Sequence, residues 1–220
     1  MKGIIAVAML TAAVSALASD LVVERAPLPL GESAAASDAY LTLSWDNGSP
    51  SWVLAWETGA DAWVGNEFDI STLNTFSHIR ELRVWTRYSW PDGDWDGFNV
   101  GIYAFAGVPG SLIWPAGGGR YFMPDGAHGW KCVPVDWVLP GGITNFLAAM
   151  EQCYDYPDCD PYAVDNNDTF LGRSWQYYRG TWRPVEGTLN YHNLMLRVVV
   201  SDEMFAVKPT SLGRVKALYY

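Results

Sequence analysis

Apolar and polar positions alternate with a period of two along most of this chain, and clusters of Gly, Pro, Asn and Asp interrupt the alternation every few residues. Tyr40-Leu41-Thr42-Leu43-Ser44-Trp45 alternates, stops at Asp46-Asn47-Gly48-Ser49-Pro50, and resumes over residues 52–56. This predicts two strands in a hairpin-like pair around a strong turn. Short apolar pieces follow at 62–64 and 67–70. Over residues 79–88, Leu82, Val84, Thr86 and Tyr88 fall on one face and Arg83, Trp85 and Arg87 on the other, as in a half-buried strand. Phe98, Val100, Ile102 and Ala104 then alternate with Asn99, Gly101, Tyr103 and Phe105 until Gly107-Val108-Pro109-Gly110 ends the run. Over 130–139, Trp130, Cys132 and Pro134 oppose Lys131, Val133 and Val135. Pro134 lacks an amide hydrogen, so this strand belongs at a sheet edge.

The segment 143–152 satisfies two periods at once. Ile143, Phe146, Leu147 and Met150 form a helical stripe, whereas Phe146, Ala148 and Met150 alternate; the Gly141-Gly142 turn before them decides for a strand. Residues 153–168 read as an acidic loop, 173–178 as a strand, 187–193 as a turn region and 193–200 as the clearest strand. About ten short strands with almost no helix imply an all-β chain, an antiparallel β-sandwich of jelly-roll-like form. An outer-membrane barrel competes, because the chain is aromatic-rich, but its strands are short and broken by prolines. No internal repeat is visible.

The ends change the picture of where this sandwich works. Met1-Lys2, a small and apolar run, and Ala16-Leu17-Ala18 match the basic, apolar and cleavage regions of a secretory signal peptide, with the cut after Ala18. The division expected is a signal peptide at 1–18, an extended lead-in at 19–37, a β-sandwich domain at 38–201 and a C-terminal tail at 202–220. No later segment has the ~20 apolar residues of a membrane span. A formal net charge of −10 disfavours a nucleic-acid partner, whose phosphates it would repel. In an oxidising compartment two of the three cysteines are expected to pair. Cys153 and Cys159, close in sequence across a Pro-containing turn, are the expected disulfide, with Cys132 buried on its strand; a bridge from Cys132 to either of them is the alternative.

Candidate chemistry is sparse. Asp92, Asp94 and Asp96 occur at every second position before Gly97, which places hard oxygens at a spacing Ca²⁺ can use. The EF-hand pattern then fails, since Tyr103 stands where its bidentate Glu belongs. A looser calcium site would need more oxygens, and Asp155, Asp158, Asp160, Asp165, Asn166 and Asp168 could supply them. The competing reading makes both stretches solvated turns, because Asp, Asn and Gly favour turns for local reasons. Twelve Trp and twelve Tyr suit either a sandwich core or a face that stacks on a ligand. Trp90, Trp95, Trp114 and Trp182 fall in predicted turns and are the ligand-binding candidates. Glu57, Glu67, Glu81 and Glu151 lie on or near predicted strands, but none sits in a catalytic pattern, and no Gly-x-Ser-x-Gly elbow is present. No catalytic residue is therefore assigned.

Several landmarks occur together: Asp46-Asn47-Gly48-Ser49-Pro50, Trp95-Asp96-Gly97-Phe98, Val108-Pro109-Gly110, Gly129-Trp130, Val164-Asp165, Gly172-Arg173-Ser174-Trp175, Trp182, and Asn193-Leu194-Met195-Leu196-Arg197. Their order resembles a class of uncharacterised exported bacterial β-sandwich domains found alone or in large surface proteins. The resemblance implies a fold and a secreted or cell-surface address, and carries no catalytic residues. The tail with Arg214 and Lys216 is similar to short C-terminal tails of exported proteins; it reads as a last edge strand, with an attachment signal as the alternative. The expected function is a non-catalytic module that binds a surface ligand, a glycan or a surface protein, or a structural component of the cell envelope. The rival is an extracellular glycoside hydrolase.

Overall fold

The computed structural model describes residues 22–25, 40–56, 61–73, 76–86, 97–116, 118–122, 129–155, 159, 162–165, 171–185 and 193–202. They form two antiparallel sheets packed face to face, as the alternation predicts. The strands are β1 (Val22–Arg25), β2 (Tyr40–Ser44), β3 (Pro50–Leu54), β4 (Ala62–Asp69), β5 (Phe76–Thr86), β6 (Phe98–Phe105), β7 (Pro109–Trp114), β8 (Arg120–Phe122), β9 (Gly129–Val138), β10 (Asn145–Gln152), β11 (Tyr162–Asp165), β12 (Ser174–Tyr178), β13 (Thr181–Pro184) and β14 (Leu196–Asp202). A 3₁₀ turn at Ser71–Leu73 and 3₁₀ backbone at Val185 are the helical parts among the described residues. No helix among them is long and apolar enough to cross a membrane.

The first sheet runs β1-β2-β14-β5-β11-β3 with β9 also paired to β5, and the second runs β13-β12-β4-β10-β6-β7 with β8 also paired to β6. The chain crosses repeatedly between the sheets, as a jelly roll does. Leu43, Leu82, Val84, Val133, Leu196 and Val198 from the first sheet meet Val64, Phe68, Phe98, Val100, Ile102, Phe146 and Met150 from the second in one buried core. One polar side chain bolts the layers together. Asn66 on β4 is fully buried; its Nδ2 donates to the carbonyls of Leu194 and Leu196 at 2.9 and 3.0 Å, and its Oδ1 accepts the Ser174 hydroxyl at 2.8 Å. All the hydrogen-bonding capacity that burial would penalise is thus engaged across the sandwich.

The expected edge position of the 130–139 strand is correct, for among the described residues β9 pairs only with β5. The choice of a strand over a helix at 143–152 is also correct, because β10 lies in the middle of its sheet between β4 and β6. A strand from within the lead-in, β1, pairs with β2.

Other expectations are corrected. β2 and β3 are not a hairpin: β14 pairs with β2, β11 pairs with β3, and both lie between them. The turn does form. Asp46 Oδ1 accepts the Gly48 amide and Asn47 Oδ1 accepts the Ser49 amide, both at 2.9 Å, with Gly48 at φ +82°. Distant partners then draw it across the sheet: Arg197 Nε reaches Asp46 Oδ2 at 3.0 Å, and the Asn47 amide donates to Asp165 Oδ2 at 3.1 Å. The apolar pieces at 62–64 and 67–70 are one strand, β4, continuous through Gly65. A Cβ there would stand 2.4 Å from the Ala148 carbonyl oxygen, so only glycine lets β4 and β10 approach as they do. Cys132, expected to be buried, is exposed on β9, where Lys131, Val133 and Val135 take the inward positions.

Candidate functional site

The outward face of the second sheet carries a second apolar cluster. Trp63, Leu147, Ala149 and Trp175 are buried there, and Tyr103, Phe105, Tyr177 and Trp182 pack on them half-buried. Strand register explains the arrangement. Trp182 pairs with Tyr177, Tyr177 with Trp63, Trp63 with Glu151, Glu151 with Asn99 and Asn99 with Tyr121. Six strands thus contribute one residue each to a continuous cross-strand row, about 24 Å long at ~4.8 Å per strand. Beyond Trp175, which pairs with Gly65, the neighbouring row is small: Gly65 pairs with Ala149, and Ala149 with Gly101.

That small row leaves a trough, and the Trp63 indole fills it. A Cβ on Gly101 would come within 3.3 Å of the Trp63 ring, and one on Gly119 within 2.7 Å. Tyr103 meets Trp63 edge-on at 5.5 Å between centroids, Trp182 meets Tyr103 at 5.2 Å, and Tyr177 meets Trp182 at 5.3 Å. Such tilted and T-shaped contacts suit the ring quadrupoles and hold each ring in place. Trp182 reaches this face through the β12–β13 hairpin, whose two turn residues, Arg179 and Gly180, both have positive φ, +55° and +80°. This is the backbone a two-residue I′ turn demands.

Beyond the rings the row turns polar. Asn99 Nδ2 donates to Glu151 Oε2 at 2.6 Å, and Trp63 donates a further hydrogen bond to the same carboxylate. Burial pushes the Glu151 pKa up and the neighbouring Asp61 carboxylate adds to this, against the lowering effect of the two hydrogen bonds. Burial likewise raises the Tyr103 phenol, with Glu151 and Tyr177 contributing, so it stays a neutral donor. At the far end Tyr121 and Tyr154, two of the most exposed large aromatics, share a hydrogen bond between their hydroxyls. Tyr121 Oη also accepts the Gly97 amide at 3.1 Å.

The Glu151 environment has a consequence for stability. Folding raises its pKa, so the folded state holds the proton more tightly, and the contribution of this group to stability falls as pH rises from the ordinary glutamate range through the raised value. Glu151→Gln keeps an acceptor and removes the charge. It is expected to raise Tm near neutral pH, with the gain vanishing below the ordinary glutamate range. Melts of both proteins between about pH 4 and pH 8 check this, and a gain independent of pH would contradict it.

Comparison with known proteins leaves this face without a borrowed identity. No family model matches the chain. No curated protein matches it either. A solved structure of the cysteine protease and lectin-like domains of Cwp84, a surface layer associated protein of Clostridium difficile, aligns with a TM-score of 0.47 at 12% identity. It covers 75% of this chain, which spans 34% of that one.

Of the residues singled out from sequence, Trp182 stands on this face. It lies on β13 rather than in a turn. Trp114 ends β7 instead of occupying a turn, and packs half-buried against the main core. Trp90, Trp95, Asp92, Asp94 and Asp96 lie outside the described residues. In the second acidic stretch Asp165 belongs to β11 and is fully buried; its carboxylate accepts the amides of Asn47 and Asn193, so hydrogen bonds already occupy its oxygens. No group of three or more His, Cys, Asp or Glu suited to a metal occurs among the described residues. Cys153 and Cys159 are thiols in this structure. Sequence reasoning missed Trp63, Tyr103, Tyr177, Asn99 and Tyr121. The outward alternation of Asn99, Gly101 and Tyr103 was the one available signal.

Proposed function

We propose that this protein is an exported β-sandwich module that binds a glycan along the outward face of its second sheet. The observation that carries the reading is the row Trp182, Tyr177, Trp63, Glu151, Asn99, Tyr121, which combines stacking surfaces with a carboxylate and an amide in one line. Aromatic faces receive the apolar faces of sugar rings, while Glu151 accepts and Asn99 exchanges hydrogen bonds with ring hydroxyls. Buried Trp63 acts as a fixed platform, and Trp182, Tyr121 and Tyr154 offer accessible ring surface. An acidic chain favours a neutral glycan over an anionic one. The export leader, the surface address and the similarity to exported bacterial sandwich domains belong to the same proposal. So does a Ca²⁺ ion held by Asp92, Asp94 and Asp96, which calorimetric titration with calcium would detect.

Trp182→Ala is expected to weaken retention on insoluble peptidoglycan, cellulose or chitin roughly five- to thirtyfold, because one stacked ring contributes on the order of 1 to 2 kcal/mol. Its Tm should fall less than that of a core variant, since Trp182 is only half-buried. Co-sedimentation of the wild type with none of the three particles, or equal retention of wild type and variant, would count against the reading.

One observation favours a second reading as a glycoside hydrolase. A carboxyl with raised pKa suits a general acid, and Asp61 lies close enough to influence Glu151. Glu67 is no substitute, for it stands about 13 Å from Glu151 along the strands and is ion-paired with Arg173. Release of reducing ends by the wild type and not by Glu151→Gln, with particle binding intact, would select this reading.

A further inference from the structure

At the Glu151 end of this face the chain passes from one sheet to the other, and the link carries two cysteines. Cys153 follows directly on β10, and Cys159 stands three residues before β11. Gln152, the last residue of β10, ties the two ends together. Its Nε2 donates to the carbonyls of Trp56 and Tyr154, both at 2.8 Å, and its Oε1 accepts the Trp56 amide at 2.9 Å. Trp56 in turn packs edge-on against Tyr162, the first residue of β11, at 5.8 Å between centroids. The end of one strand and the start of the other are therefore clamped side by side, although they belong to different sheets.

Both cysteines lie next to this clamp along the chain. Cys159 is buried, with 5% of its surface exposed, and Cys153 is half-buried with its Sγ 3.9 Å from the Glu151 carbonyl oxygen. Each thiol lies within electrostatic reach of the buried Tyr162 phenol. Cys132 is placed elsewhere. It pairs with Arg83 on the first sheet and is exposed, on the side of β9 opposite to the inward residues Lys131, Val133 and Val135. A bridge from Cys132 to Cys159 would have to join an exposed position on β9 to a buried one ahead of β11.

We propose that Cys153 and Cys159 are oxidised to one intrachain disulfide that fixes Tyr154 against Tyr121, at the end of the row read above as the glycan-binding face. The two thiols give up two protons and two electrons to a disulfide-bearing exchange partner. The partner's S–S bond is reduced to two thiols as the Cys153–Cys159 bond forms. The residue directly after Cys153 is Tyr154, so the bond restrains the backbone that presents its ring.

The test uses the full chain exported to an oxidising compartment, alkylated without reductant, cleaved after aromatic residues and mapped by mass. Alkyl label on Cys132 alone, with a linked peptide pair holding Cys153 and Cys159 that separates on reduction, is the expected result. Label on all three cysteines, or any link that includes Cys132, overturns the proposal. Hydrogen exchange tests the restraint: reduction, or Cys153→Ser, should speed exchange at residues 153–155 and 121–122 severalfold while β5 and β14 stay protected. Unchanged exchange at those positions overturns the link to Tyr154. Failure of the oxidised protein to bind peptidoglycan, cellulose or chitin, with the linked peptides present, would count against the binding face alone and leave the bond in place.

Discussion

Asp165→Ala is expected to destabilise the protein by roughly 3 to 5 kcal/mol, because several donors lose one buried acceptor together. Asp165 has no exposed surface. Its carboxylate accepts the Asn193 amide at 2.9 Å, the Asn47 amide at 3.1 Å and Asn193 Nδ2 at 3.3 Å. Those contacts join β11, the turn after β2 and the segment entering β14, three parts of the chain that share no local sequence. Truncation would take this acceptor from the buried Asn193 amide and side chain and cut their tie to the turn after β2. Asp165→Asn keeps an amide oxygen and should recover part of the loss. Urea unfolding at neutral pH distinguishes the outcomes, and a midpoint for Asp165→Ala equal to that of the wild type would show that the network contributes nothing net.

Trp63→Ala is expected to cost about as much in stability, roughly 3 to 5 kcal/mol, and to abolish glycan retention as well. The indole fills the trough over Gly101 and Gly119, supports Tyr103 and donates to Glu151. Its removal opens a cavity on the sheet surface and frees the rings packed against it. Trp63→Phe separates the two effects, for it refills much of the volume and cannot donate to Glu151. Retention that survives Trp63→Phe undiminished would limit Trp63 to packing, whereas loss of retention with most of the stability kept would place the indole N–H in the site.

The amino-acid sequence by itself determined the class of fold and most of the strands. A period of two is a local property: Phe98, Val100 and Ile102 must share a face wherever the strand goes, and all three are buried. Pro134 likewise marks an edge through its own missing donor, and β9 is an edge strand. What the period could not supply was which strand lies beside which. The turn at Asp46-Asn47-Gly48-Ser49 has hairpin chemistry, yet its Asp46 carboxylate finds Arg197 and its Asn47 backbone amide finds Asp165, 151 and 118 residues away. Those long-range bonds decide the topology.

The site was legible only in fragments for the same reason. Trp63, Glu151, Asn99 and Tyr121 are spread over almost ninety residues of sequence and become neighbours through register alone. Trp182 was singled out as a turn residue; it lies on β13, because Arg179-Gly180 before it adopts the backbone of a tight hairpin without carrying the Asn-Gly signature. Composition recorded an excess of aromatics and could not say which of them fill the core. Trp45 stacks on Phe68 inside the sandwich and Trp63 lies on its outer face, and nothing local to either residue separates them. The sheet face a side chain occupies is settled by the partner strand's register, and that is a tertiary property.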